Sequence, residues 1–265
     1  MNLKELCFNT IKVVKNAGEY INKEYENKGS IGLEAKGKHN FVTNVDKGAE
    51  EILVNGLREL LPEAGFIAEE GTSETKGEQY NWVIDPIDGT TNFIHGAFPF
   101  AVSVALVCEL KPVMGVILEM GMNECFYAWE NGGAFINDKP ISVSNTGSLN
   151  DALIATGFPY TNYTYLKGFI NSVEWFMKNS RGLRRLGSAA TDIAWVACGR
   201  YDGFYEYGLS PWDIAAGVII LKEAGGTTSD FEGGNDFLFG EEVICSNAKI
   251  QNEFIKAVKS TVKES

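Results

Sequence analysis

The sequence predicts an α+β protein built as a layered α/β stack, and three observations predict it. Two amphipathic helical stripes open the chain, a run of short β-rich segments fills its middle, and strands alternate with helices towards its end. Elements mixed in this order suggest stacked sheets and helices rather than one doubly wound sheet.

Taken in order, Leu3, Leu6, Cys7, Thr10, Val13, Val14 and Ala17 recur at helical spacing with Lys4, Glu5, Lys12 and Lys15 between them, predicting a helix over about 3–27. This stripe reads as part of the mature fold rather than as a secretory signal. A second stripe, Ala49, Ile52, Leu53, Leu57 and Leu60, predicts a helix over about 46–61 that Pro62 stops. Gly65 to Ala68 is a short apolar strand running into Glu69-Glu70-Gly71, and Thr72 to Gln79 is a polar loop. Trp82-Val83-Ile84 is a short buried strand that delivers Asp85. Segments 98–107, 113–120, 125–129 and a hairpin over 134–143 follow, with Gly132-Gly133 and Asn137-Asp138 as turns. The polar run Asn145 to Asp151 could divide two halves. Beyond it come a strand at 152–156, helices at 163–178 and 188–198, a strand at 203–207, and a helix at 211–224 ending in Gly225-Gly226. A strand at 243–245 and a helix at 248–262 complete the chain.

Composition excludes several classes. Hydrophobic residues make up 45% and charged residues 22%, which suits a folded domain and not a disordered chain. No apolar run reaches the roughly 18–20 residues of a bilayer span, so no membrane association is expected. The net charge of −12 repels nucleic acid, and the densest basic cluster, Arg181, Arg184 and Arg185, is small. Direct nucleic-acid binding is therefore not expected. Cys7, Cys108, Cys125, Cys198 and Cys245 form no CxxC pair and read as reduced thiols of a cytoplasmic protein. His39 and His95 are the only histidines, too few for ordinary zinc chemistry. Phosphate-loop, nucleophile-elbow, HExxH and GxGxxG patterns are absent.

The chemistry concentrates in Asp85-Pro86-Ile87-Asp88-Gly89-Thr90-Thr91-Asn92. A buried strand exposes Asp85 at its end, and Asp88 follows three positions later in a turn closed by Gly89. Two carboxylates on one rigid turn can share a hard cation, and the Ile87 carbonyl could add a third oxygen. Gly89 permits close approach, while the Thr90-Thr91-Asn92 run is helix-start chemistry whose free N–H groups suit a phosphate. An Asp-Gly turn with no ligand explains this segment alone equally well. Read alone, Glu69 and Glu70 are solvated acids, and Asp213 and Asp46 are helix-start charges. Jointly, the four acidic positions share one context, a strand end or a helix start, and such positions converge on one edge of a layered α/β fold.

Asp85-Pro86-Ile87-Asp88-Gly89-Thr90-Thr91-Asn92-Phe93 resembles the first signature of the inositol monophosphatase family, and Trp212-Asp213-Ile214-Ala215-Ala216-Gly217 with Glu223-Ala224-Gly225-Gly226 resembles the second. Val42-Thr43-Asn44-Val45-Asp46 and Phe66-Ile67-Ala68-Glu69-Glu70 are similar to the family's N-terminal acidic segments. The resemblance implies a five-layer αβαβα sandwich: one domain over 1–265 with packed halves, roughly 1–145 and 146–265. It also implies a homodimer and a lithium-sensitive Mg2+ site holding two or three ions per chain. By the motifs, Glu69, Asp85 and the Ile87 carbonyl would hold one ion, and Asp85, Asp88 and Asp213 a second. Gly89 and Thr90 would offer amides to phosphate, and Asp46 would pair with the Thr90 hydroxyl behind the attacking water. Asp88 and Asp213 would also border the substrate. Gly187, Ser188 and Ala189 resemble the loop that touches the inositol ring, and Glu206 resembles the acid that bonds ring hydroxyls, although a strand-face glutamate is the plainer alternative. The compact stretch from Lys36 to Asp46 leaves the role of Lys36 open.

The resemblance thus implies hydrolysis of a small phosphorylated polyol or sugar, with inositol 1-phosphate first, through a metal-activated water with Glu69, Thr90 and Asp46 in catalytic roles. Fructose 1,6-bisphosphate, NADP, histidinol phosphate and nucleotide 3′-phosphates are the rival substrates. A regulator of a transcription complex that retains the fold is the rival of another class.

Overall fold

Helices and strands assemble into five layers in the computed structural model, which describes residues 1–27, 33–37, 40–73, 75–160 and 162–263, with the backbone alone described over 33–37 and 40–42. His39 and the side chain of Lys36 lie outside the described residues. Along the chain the elements are α1 (Leu3–Glu26), β1 (Leu33–Gly37), β2 (Asn40–Thr43), α2 (Asn44–Leu60), β3 (Gly65–Ala68), β4 (Tyr80–Asp88), α3 (Thr90–His95), β5 (Ala101–Cys108), β6 (Lys111–Glu119), β7 (Glu124–Trp129), β8 (Ala134–Ile136) and β9 (Lys139–Ile141). They continue as β10 (Leu153–Thr156), α4 (Leu166–Asn179), β11 (Gly182–Arg184), α5 (Ala189–Ala197), β12 (Gly203–Tyr207), α6 (Pro211–Glu223), β13 (Gly226–Ser229), β14 (Glu242–Asn247) and α7 (Gln251–Val258), with a π-helical last turn over Lys259–Lys263.

One sheet has seven strands in sequence order, β3 to β9, antiparallel except for the β3–β4 pair. The other has five, ordered β11-β10-β12-β14-β13, parallel around β10 and antiparallel around β14. Strand alternation sorts the side chains into layers. Trp82 and Ile84 of β4, with Val102, Val104 and Leu106 of β5, pack under the apolar faces of α1 and α2. Val83, Ala101, Ala105 and Val107 point the other way, onto α5 and α6, which also meet Ala155, Phe204, Val243 and Cys245 of the second sheet. Behind that sheet, Ile154, Tyr205 and Ile244 pack on Phe169 and Phe176 of α4 and Phe254 of α7. The order is αβαβα, as the resemblance implied. The lack of polarity in α6 has a physical reason: Ile214 to Leu221 are all buried between two sheets, so no face of that stretch needs polar residues.

Local chemistry sets the elements that matter for the site. α2 begins with a reciprocal cap: Thr43 Oγ1 accepts from the amides of Val45 and Asp46, while an Asp46 carboxylate oxygen accepts from the Thr43 amide at 2.9 Å. β4 is longer than the sequence suggests. It runs past Ile84 to Asp88, with a break in register against β5 between Asp85 and Asp88. Pro86 sits in this irregular stretch, where a missing N–H costs the ladder little. Four strands were not foreseen: β1, β2, β11 and β13. β13, Gly226-Thr227-Thr228-Ser229, has no apolar alternation and pairs antiparallel with β14. No helix among the described residues is long and apolar enough to cross a membrane.

Candidate functional site

A cleft of about 240 Å³ opens where β4, the start of α3, the β11–α5 loop, β12 and the start of α6 converge. Glu69, Asp85, Ile87, Asp88, Gly89, Thr90, Gly187, Ser188, Ala189, Glu206 and Asp213, eleven of the twelve residues singled out from the sequence, line it. The twelfth, Asp46, lies behind the wall and is fully buried.

The acids meet. Asp85, Asp88 and Asp213 each present a carboxylate oxygen within 4.8 Å of the other two. Each is held by its own donor. Asp85 accepts from the Ile87 amide at 2.9 Å, across the β4 bulge. Asp88 accepts from the Ser188 hydroxyl at 2.6 Å and the Ala190 amide at 2.8 Å, the latter from the first turn of α5. Asp213 accepts from the Ser210 amide at 2.6 Å, completing the cap of α6. Glu69 is half-buried beside Asp85, and its charge helps to raise the Asp85 pKa.

Protons count the cost of this crowding. Burial raises the pKa of Asp85, and Glu69, Asp88 and Asp213 add repulsion. Burial also raises Asp88, to about 6, against the lowering hydrogen bonds from Ser188 and Ala190. Asp213 rises through burial and then through Asp88. Acids so placed fit a multivalent cation: buried oxygens already converge, and positive charge would relieve the repulsion that raises their pKa values. The Ile87 carbonyl oxygen lies 3.0 Å from Thr90 Oγ1, as an alternative to Asp46 for the single proton of that hydroxyl.

At the start of α3, Gly89 has φ +93°, and a Cβ there would lie 2.9 Å from the Gly187 carbonyl oxygen and 3.2 Å from that of Pro99. Thr90 Oγ1 lies 3.1 Å from Asp46. Burial raises Asp46, while hydrogen bonds from Thr43 and Thr90 oppose the rise. Ser188 lines the cleft, yet its hydroxyl is engaged: it donates to Asp88, lies 2.7 Å from the Thr191 hydroxyl and caps α5. Glu206 is buried at the cleft wall, its pKa raised by burial and then by Asp192 and Asp213.

Sequence reasoning missed several contributors. Gly157 leaves room for Glu206, since a Cβ there would fall 2.0 Å from a Glu206 carboxylate oxygen. Asn92, read only as helix-start chemistry, donates to the carbonyls of Pro99 at 2.7 Å and Leu186 at 2.8 Å, tying α3 to the loop before Gly187. Arg185 lines the cleft with its guanidinium 5.0 Å from the Phe158 ring and 5.6 Å from the Tyr160 ring. The sequence marked Arg185 as basic but gave no sign that Phe158 and Tyr160 would meet it. Asp192 is buried on α5 beside Asp88 and Arg185, with its pKa raised by burial first.

The description of the inositol monophosphatase family matches residues 2–263. Over 250 residues the chain is 40% identical to a protein of Mesorhizobium japonicum named inositol-1-monophosphatase, covering 94% of each. It is 38% identical over 255 residues to the Escherichia coli protein named Nus factor SuhB, covering 96% of this chain and 94% of the relative. The solved structure of the extragenic suppressor protein suhB from Bartonella henselae superposes with a TM-score of 0.90 at 37% identity, covering 95% of this chain and 97% of that one.

Proposed function

Since the chain belongs to the inositol monophosphatase family, we propose that it is a magnesium-dependent phosphatase that hydrolyses a small phosphorylated polyol, with inositol 1-phosphate as the preferred substrate. The observation that carries this reading is the convergence of Asp85, Asp88 and Asp213 within 4.8 Å beside a small polar cleft. In it, Asp85, Asp88, Asp213, Glu69 and the Ile87 carbonyl hold Mg2+, two or three ions per chain. The ions, when bound, supply positive charge against the phosphate and acidity to a water.

The remaining roles belong to the chain itself. The amides of Gly89 and Thr90 grip phosphate oxygens, with α3 beginning behind them. Thr90 directs its proton towards Asp46, which leaves its oxygen free to accept from the attacking water and to orient it for in-line displacement. Glu206, with the backbone of Gly187, Ser188 and Ala189, binds the hydroxyls of the leaving group. The family makes a homodimer the assembly proposed here, and the exposed apolar side chains Leu166, Ile170 and Met177 on α4 support a protein-covered face.

The test is phosphate release from inositol 1-phosphate with and without Mg2+ and with added lithium. Fructose 1,6-bisphosphate, NADP, histidinol phosphate and a nucleotide 3′-phosphate run in parallel. Metal-independent release, or none from any ester, would end the reading; faster turnover of another ester would move the substrate within it.

A second reading carries the Nus-factor name of the Escherichia coli relative across to this chain, as a component of a transcription complex. Docking alone has no use for clustered acids in a cleft of this size, which favours the enzyme. Pull-down from cell extract would show whether a transcription assembly also binds.

A further inference from the structure

The loop that carries Glu69 into the cleft is held by an acid outside it. Glu50 sits on α2, fully buried, between Ala49 and Leu53, which are packed in the core under α1 and the seven-stranded sheet. Its two carboxylate oxygens take separate amides: one accepts from the Glu70 N–H at 2.8 Å, the other from the Thr72 N–H at 2.7 Å. The amide just before them, that of Glu69, donates to the Ile84 carbonyl of β4 at 3.2 Å. Three amides within four residues are thus anchored, one to the strand that delivers Asp85 and two to Glu50. A forked pair of charge-assisted hydrogen bonds fixes direction as well as position, which one neutral acceptor cannot do.

The three clustered aspartates have a donor on their own carboxylates: Ile87 for Asp85, Ser188 and Ala190 for Asp88, Ser210 for Asp213. The loop that carries Glu69 is held through its backbone, from an element twenty residues away in sequence. We infer that Glu50 is a positioning residue for the cation site: it sets the loop at Glu70 and Thr72 so that Glu69 reaches Asp85, without touching the cation. The inference rests on the reading that the acids hold a divalent cation. Groups that orient metal ligands from outside typically change affinity about 10–100-fold when altered.

The test is calorimetric titration of the full chain with Mn2+, with no substrate and no turnover in the readout. Glu50→Gln keeps one acceptor and turns an NH2 towards an amide N–H, breaking one arm of the fork. The expected result is Mn2+ affinity lowered about 10-fold or more. In a Glu69→Gln background the same change is expected to cost nothing further, because Glu50 acts only through Glu69. A purely structural or long-range electrostatic role for Glu50 would lower affinity equally in both backgrounds and overturn the inference, as would unchanged affinity in the single variant. Should Glu50→Gln not fold, Glu50→Asp, which keeps the charge but shortens the reach, takes its place under the same criteria. A parent protein that binds no Mn2+ would overturn the cation reading itself, and the inference with it.

Discussion

The Thr90 hydroxyl lies 3.1 Å from a carboxylate oxygen of Asp46, forty-four residues away in sequence, while the other Asp46 oxygen caps the start of α2 through the Thr43 amide. One buried acid therefore serves both a helix cap and the edge of the cleft. Thr90→Val keeps the shape and removes the hydroxyl. Turnover of inositol 1-phosphate is expected to fall about 10²–10⁴-fold, with melting temperature changed by only a few degrees. Parent turnover in this variant would remove Thr90 from the chemistry.

Asp88→Asn should preserve the fold, because its remaining carbonyl oxygen still accepts from Ser188 and Ala190. Activity should drop by at least about 10²-fold, with Mg2+ stabilisation of the fold reduced. Equal turnover in the purified variant would refute its place among the cation ligands.

The crowded acids give the metal-free protein a defined pH response. An acid with a raised folded pKa binds more protons folded than unfolded, so stability falls as pH rises from the unfolded value to the folded one. Unfolded carboxyls titrate near about 4, and Asp88 has been pushed to about 6. Asp85, Asp192, Glu206 and Asp213 shift in the same direction. In chelator, melting temperature is therefore expected to be higher near about pH 5 than near about pH 7.5, against the trend of acid denaturation. Mg2+ should stabilise most at the higher pH. Thermal melts at both pH values, with and without Mg2+, check the sign.

Glu206 and Gly157 form a pair whose effects should separate by substrate. A Cβ at residue 157 would collide with the flexible carboxylate of Glu206, so Gly157→Ala should turn that carboxylate aside at little cost in stability. Both Gly157→Ala and Glu206→Gln are expected to raise KM for inositol 1-phosphate about 10-fold while leaving KM for an aryl phosphate near the parent value. Equal changes for both esters would place Glu206 outside the polyol contacts.

Gly89→Ala should be costlier. The backbone is left-handed there, and the nearest atoms to an added Cβ are the carbonyl oxygens of Gly187 and Pro99, which cannot swing away. A loss of about 1–3 kcal/mol is expected from the strain, measurable in urea unfolding.

Much of the fold was legible because burial imposes period on sequence. The stripe from Leu3 to Ala17 and the apolar run of α6 each need one environment, a single apolar face for the first and two sheets for the second. β11 and β13 were illegible for the converse reason: short strands paired through backbone amides leave no periodic trace. The acids of the site were visible because caps and bulges leave Asp next to Pro, Gly and Thr in fixed spacing.

By itself the sequence marked the candidate acids, Asp46, Glu69, Asp85, Asp88, Asp213 and Glu206, and the order of helix and strand that brings their elements to one edge. Only the tertiary structure decided which groups hold them there: Ser188 and Ala190 on Asp88, Gly157 beside Glu206, Phe158 and Tyr160 against Arg185, and Glu50 under the loop of Glu69. Local spacing encodes a turn or a cap within a few residues. A hydrogen bond spanning twenty or a hundred residues exists only once two layers have packed and removed the water that would otherwise satisfy both partners.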